Sequence, residues 1–248
     1  PFSLFDWRMI IGFFLSELAI YALGACTAHF LFKCELKESI LLGLAASFGN
    51  HILYVLPIAI SLFGEDATLA FVAIIAVDSI LIFGSTIVII ELMTAKSTLW
   101  ADISKKIFLN PPLISMILGI FLGIFNVKIP DGFNTFLNFV GNVAAPSALF
   151  SLGIILSQIS GLGRIGPALS ISAFKLIVHP LFALIILVGI SGLTLTQAKI
   201  PMIAASAPCG TMAFVLALHY GVRTDAIVPA ILLTTIGSLL SVTLAASI

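Results

Sequence analysis

Glu17, Asp78 and Lys175 each lie deep inside a long apolar run. A charged group at mid-membrane costs about 3 kcal/mol on insertion scales, so it is kept there for a partner, a proton or an ion. His179 stands one helical turn beyond Lys175 on the same face and precedes Pro180. A proton relay and a hydrogen-bonded packing ring fit His179 and His51 equally well. Glu91, nearer a run's end, reads as a solvated helix terminus. Glu17, Asp78, Lys175 and His179 are therefore the candidates for coupling and electrostatic support.

A second set of residues does its chemistry through the backbone. Ser47-Phe48-Gly49-Asn50 with Pro57, and Ser206-Ala207-Pro208-Cys209-Gly210-Thr211, put helix-breaking residues near the middle of two apolar runs. Proline removes an amide donor and glycine loosens the chain, so both helices are expected to be interrupted, with Pro57 and Pro208 as breakers. In lipid, freed backbone groups survive only against protein or a water-filled cavity. Half-helices starting at such breaks aim N–H groups of partial positive charge into the cavity, which suits a carboxylate. Ser47, Asn50, Ser206 and Thr211 can add side-chain hydrogen bonds. The competing reading is that Gly and Pro merely kink membrane helices for packing.

Other chemistry finds little support. The sequence has no HExxH or GxSxG motif and its histidines lack metal-ligand spacing, so neither catalytic residues nor a metal site is assigned. Cys26, Cys34 and Cys209 form no CxxC pair and read as small packing residues. With 11 basic and 11 acidic residues and no basic run, nucleic acid is not an expected partner. No cofactor is expected beyond a coupling H+ or Na+.

The elements that position these groups follow from composition. Of 248 residues, 60% are hydrophobic and only 9% charged, too little polar surface for a soluble monomer. The expected fold is an all-α polytopic helix bundle in the lipid bilayer of the cell membrane, plasma or inner. Eight spans are expected: Trp7 to Phe32, Ser39 to Gly64, Ala67 to Glu91, Phe108 to Phe125, Phe133 to Gln158, Ile165 to Ile190, Gln197 to Gly221 and Ala226 to Ile248. Threaded alternately, they put Lys33, Lys37, Lys96, Lys105, Lys106, Arg164 and Arg223 on one side, which should be cytoplasmic. The loop 94–110 is then cytoplasmic. Gly119-x-x-x-Gly123 is read as helix packing, with a homodimer left open. Because the chain starts at Pro1 and enters an apolar run within a few residues, upstream sequence is expected.

The chain also repeats itself. Ala45 to Asn50 aligns with Ala204 to Cys209, and both stretches run on to an aromatic-Gly end, Phe63-Gly64 and Tyr220-Gly221. Nearly the same offset sets Glu17 opposite Lys175 and Tyr21 opposite His179. Partners so threaded cross the membrane in opposite directions, and an inverted repeat with interrupted helices is a signature of secondary transporters.

In these motifs the chain resembles the auxin efflux carrier family, which includes plant auxin carriers and bacterial carriers of malonate, malate and related acids. The resemblance runs through nearly the whole chain. It rests on Ser47-Phe48-Gly49-Asn50 continuing to Leu56-Pro57, Asn110-Pro111-Pro112, Ala144-Ala145-Pro146-Ser147-Ala148-Leu149 to Gly153, Lys175 with His179-Pro180, and Ala207-Pro208-Cys209-Gly210 to Tyr220-Gly221. It implies a ten-helix protein of two inverted five-helix repeats, of which residues 1–93 supply helices three to five and 108–248 helices six to ten, the first two helices lying outside this chain. It further implies that the broken fourth and ninth helices cross at the substrate site, with Ser47, Gly49, Asn50, Ser206, Pro208, Cys209, Gly210 and Thr211 around a small carboxylate. Glu17 and Lys175 would be its supporting acid and base, and Asp78 would face the site.

Gly49 stands where the plant carriers tend to have proline, Cys209 where they tend to have glutamine, and the central loop is short. These departures favour a prokaryotic-type carrier of mono- or dicarboxylates. The alternatives are a non-transporting membrane sensor or scaffold on the same fold and a sodium-coupled carrier of the bile-acid type.

Overall fold

A computed structural model describes residues 6–64, 66–94, 111–125, 127–158 and 164–248. Regular structure among them is helical. The helical segments are α1 (Trp7–Leu31), α2 (Leu36–Ser47), α3 (51–63), α4 (66–94), α5 (Pro111–Ile124), α6 (Asp131–Gln158), α7 (Ile165–Ile190), α8 (Leu195–Ala205), α9 (Met212–His219) and α10 (Ile227–Ser247). Most of the expected loop 94–110 lies outside the described residues.

Local chemistry sets several boundaries. Asp6 caps α1 by accepting the Arg8 amide at 3.0 Å, and the Arg8 side chain, bonded to the same carboxyl, holds Asp6 below the usual carboxylate range. Thr194 and Gln197 form a reciprocal capping box at the start of α8. Gly64 and Gly221, the aromatic-Gly ends of the sequence repeat, close α3 and follow α9 with φ of 75° and 64°, a left-handed backbone that favours glycine.

Among the described residues, four helices are long and apolar enough to cross a membrane: α1, α7, α10 and the stretch Phe71–Thr94 of α4. The shortest, α10, has 21 residues, and at about 1.5 Å per residue it matches a hydrocarbon core of about 30 Å. Their outer faces carry exposed Ile190, Ile236, Leu239 and Leu240. Large apolar residues exposed along long apolar helices suit the hydrocarbon of a bilayer. Several helices contain wider π turns, at Thr27–Leu31, His51–Val55, Asp78–Phe83, Phe174–Val178 and Ile185–Ile190. Such turns frequently mark functional positions.

α1 packs along α2, α7 along α10, and α4 meets both α1 and α8. The α1–α2 contact depends on two glycines. A Cβ on Gly43 would sit 2.6 Å from the Tyr21 carbonyl oxygen and 2.9 Å from Ala25 Cβ, and one on Gly24 would sit 2.8 Å from Ala46 Cβ. At Gly119 and Gly123 an added Cβ meets nothing within 4 Å among the described residues, so that motif makes no close helix contact here.

One end of the bundle is tied by charge. The buried Glu38 carboxylate on α2 pairs with Arg164, just before α7, and with Arg223, beyond α9, at 2.9 Å. Arg164 also donates to the Phe32 carbonyl at 3.2 Å. These loops thus share one end, as charge threading had grouped Lys33, Lys37, Arg164 and Arg223.

The glycine contacts generate a contrast. Gly43→Ala should lower the stability of the purified protein by about 1–3 kcal/mol, because its neighbour is backbone and cannot yield. Gly119→Ala should leave the thermal midpoint unchanged or higher. Parallel melts of the two variants measure this difference.

Candidate functional site

Two helical lines are interrupted at the same place. α2 stops at Ser47 and α3 starts at His51; α8 stops at Ala205 and α9 starts at Met212. The connecting stretches meet in an antiparallel bridge between Gly49 and Cys209. The Asn50 amide donates to the Pro208 carbonyl at 2.9 Å, and the Gly210 amide donates to the Phe48 carbonyl at 2.8 Å. Exchanging 48 with 208 and 50 with 210 turns one bond into the other. The Cys209 amide donates to Thr234 Oγ1 on α10 at 3.1 Å, and Pro208 has no amide to satisfy. Both breaks therefore pair their backbone within protein, as hydrocarbon demands.

The half-helix ends are treated differently by polarity. At the C-terminal, electron-rich ends, basic and hydroxyl groups cover the carbonyls. Lys175 Nζ donates to the Ser47 carbonyl, His51 Nε2 lies 3.1 Å from the Ala204 carbonyl, and Ser241 Oγ donates to the Ser206 carbonyl at 2.8 Å. At the opposite ends, Asn50 and Thr211 precede α3 and α9 without making side-chain caps. The first N–H groups of a helix lack intrahelical acceptors and carry the positive end of its dipole. Ile52, Met212 and Val215, in the first turns of these half-helices, are 59%, 37% and 38% exposed, and Asn50 is half-buried. Ser47, Gly49, Pro208, Cys209 and Gly210 are buried. The crossing itself is thus buried, while half-buried Asn50 and the adjoining Ile52, Met212 and Val215 keep some exposure.

Behind it lies a buried group of titratable side chains from four helices, none more than 3% exposed: Glu17 on α1, His51 on α3, Asp78 on α4, and Lys175 and His179 on α7. Lys175 Nζ lies 3.2 Å from His179 Nδ1. His51 Nδ1 lies 2.8 Å from Asp78 Oδ2, but too far off line for a hydrogen bond. The Glu17 carboxyl lies against that of Asp78, with Lys175 acting on it from further off. No donor reaches either oxygen of Glu17. His51, Asp78 and Lys175 all fall in π turns, which are frequent at functional sites.

The residues singled out by sequence divide accordingly. Gly49, Asn50, Pro208, Cys209 and Gly210 build the crossing. Ser47 and Ser206 sit beside it, but their hydroxyls donate to Leu44 and Met202 of their own helices; their carbonyls face the neighbouring helices instead. Thr211 is 6% exposed. Pro57 lies inside α3, where the π turn takes up its missing amide, so the interruption falls at 48–50 instead. Glu17 has both Asp78 and Lys175 about it, and Lys175 is also engaged with Ser47 and His179. Glu91 accepts from Tyr220 Oη at 2.9 Å, which ties the end of α4 to that of α9. Thr234, Ser241 and Glu38 went unseen in the sequence; each is a single polar residue near or within an apolar run, a signal too common to stand out.

Comparison with known proteins gives this geometry a setting. Residues 3–246 match the family described as membrane transport protein. An uncharacterised transporter of Methanocaldococcus jannaschii is 28% identical over 244 residues, covering 96% of this chain and 77% of that protein. A protein of Rhizobium meliloti named "Putative malonate transporter" is 26% identical over 233 residues, covering 90% of this chain and 71% of that one. The family and these relatives are membrane transporters rather than enzymes, and the apolar helices are those of a multi-pass membrane protein.

At the crossing, a Cβ on Gly210 would sit 2.8 Å from Phe48 Cδ1 and 3.1 Å from the Gly49 carbonyl oxygen. Gly210→Ala should force the bridge apart. Hydrogen exchange at the Asn50 and Gly210 amides should then speed up by about tenfold, equivalent to about 1.4 kcal/mol; unchanged exchange would mean that the bridge absorbs the methyl.

Proposed function

This chain belongs to the membrane transport protein family, the auxin efflux carrier family, and we propose that it is a secondary carrier of small organic anions, with the carboxylate bound at the crossing. The observation that carries this reading is the pair of helix starts without side-chain caps that meet at the bridge, beside Asn50. Helix N-termini stabilise anions through both free N–H groups and the dipole. The exposed apolar residues there, Ile52, Met212 and Val215, suit the hydrocarbon part of a small acid. Malonate, malate and auxin-like carboxylates are the substrate classes in view, and the name of the Rhizobium relative favours a short dicarboxylate.

In this reading the α2–α3 and α8–α9 pairs each make one broken span. The chain then supplies eight spans, the third to tenth helices of a ten-helix inverted repeat. That both breaks, 48–50 and 206–211, meet in one bridge fits such a repeat. Transport follows when the crossing region moves, by rocking or as an elevator, relative to a scaffold that includes α5 and α6. The bridge keeps the two helix starts together through that movement.

The test is uptake of radiolabelled malonate and malate, with an auxin as comparison, into proteoliposomes of full-length protein. Saturable uptake of a carboxylate is expected. Asn50→Ala should insert normally and lose uptake about ten- to a hundredfold, as expected for one hydrogen bond to a charged group worth about 1.5–3 kcal/mol. Unchanged uptake in that variant removes the site from the crossing.

A further inference from the structure

The carboxyls of Glu17 and Asp78 stand in an unusual position. Both side chains are wholly buried, they lie against each other, and neither oxygen of Glu17 has a hydrogen-bond donor. The titratable groups around them are accounted for by helix. Lys175 and His179 face them from α7, His51 from α3, and Cys209 lies near Lys175 from the crossing. α2 contributes the Ser47 carbonyl that holds Lys175. Lys175 spends its hydrogen bonds on that carbonyl and on His179, and His51 Nε2 faces the Ala204 carbonyl.

Charge balance in this enclosure is simple. Two carboxylates and one ammonium leave one negative charge with neutral imidazoles, and one added proton brings the enclosure to zero. A buried enclosure of low dielectric holds net charge badly, and two neighbouring carboxyls are the arrangement in which a single proton is shared. A hard metal cation would need several oxygen ligands. The neighbours here are an ammonium and two imidazoles, and among the described residues no group of three or more His, Cys, Asp or Glu side chains is disposed to hold a metal.

We propose that Glu17 and Asp78 share one proton, and that this pair, rather than a sodium site, is where the protein binds its coupling cation. The coupling role rests on the carrier reading above; the proton itself does not. Its release leaves two carboxylates to compete with the Ser47 carbonyl for the Lys175 ammonium. Proton occupancy thereby acts on the end of α2, one arm of the crossing.

Infrared spectroscopy of the full-length protein in lipid tests this without any substrate, so its result is independent of malonate uptake. The parent protein at neutral pH should show a protonated-carboxyl C=O band that titrates away at alkaline pH and is indifferent to exchange of choline for sodium. Glu17→Gln and Asp78→Asn should each remove it, since either amide takes away one half of the pair. Absence of the band at neutral pH, its survival in both variants, or a sodium-dependent shift of the carboxylate stretches would overturn the proposal. The two parent-protein results decide the matter even where a variant fails to insert.

Discussion

In hydrocarbon no water is at hand to pair a freed amide or carbonyl, and that constraint governs the rest of this structure. Two helices that stop in mid-bundle expose such groups from two chain segments at once. They are stable here because the two exposed stretches pair with each other, Asn50 to Pro208 and Gly210 to Phe48. Glycine at 49 and 210 lets the backbones approach, and proline at 208 removes an amide that would otherwise need a partner. Groups the bridge leaves over are met by Lys175, His51, Ser241 and Thr234, each from a different element or a distant turn.

That same solution leaves an asymmetry of charge. Every covered end described at the crossing is a helix C-terminus, and the two starts are left without side-chain caps. Basic residues placed to satisfy carbonyls must themselves be balanced in a medium of low dielectric, and Glu17 and Asp78 lie behind them. The helix starts left without caps and the buried charge are therefore consequences of one arrangement. Lys175, within electrostatic reach of both acids, and His51, beside Asp78, each also meet a carbonyl at the crossing.

Much of this was legible in the residues themselves. Gly49, Asn50 and Pro208 marked the interruptions because their backbone chemistry conflicts with a helix, and the internal repeat pointed to their being related. Charged residues in apolar runs marked Glu17, Asp78 and Lys175. The full partnership among them was not legible, since it depends on which helix faces which: Asp78 joins Lys175 around Glu17. Pro57 reads as a break but sits in the first turn after the π turn His51–Val55, a position where a helix tolerates proline. Hydroxyls at 47 and 206 had the right type and place, but a serine inside a helix donates readily to its own preceding turn. Family membership across residues 3–246 agrees with the motifs that suggested it.

The most direct test of the central claim is where a carboxylate rests. Solid-state NMR distance measurements between ¹³C-carboxyl malonate and ¹⁵N backbone amides, in full-length protein in lipid, report this for each labelled residue. The account predicts contact with the first amides of α3 and α9 and with the Asn50 side chain, at hydrogen-bonded N···O separations of about 2.9 Å. Bound malonate in contact with amides elsewhere, and with none of these, would contradict it.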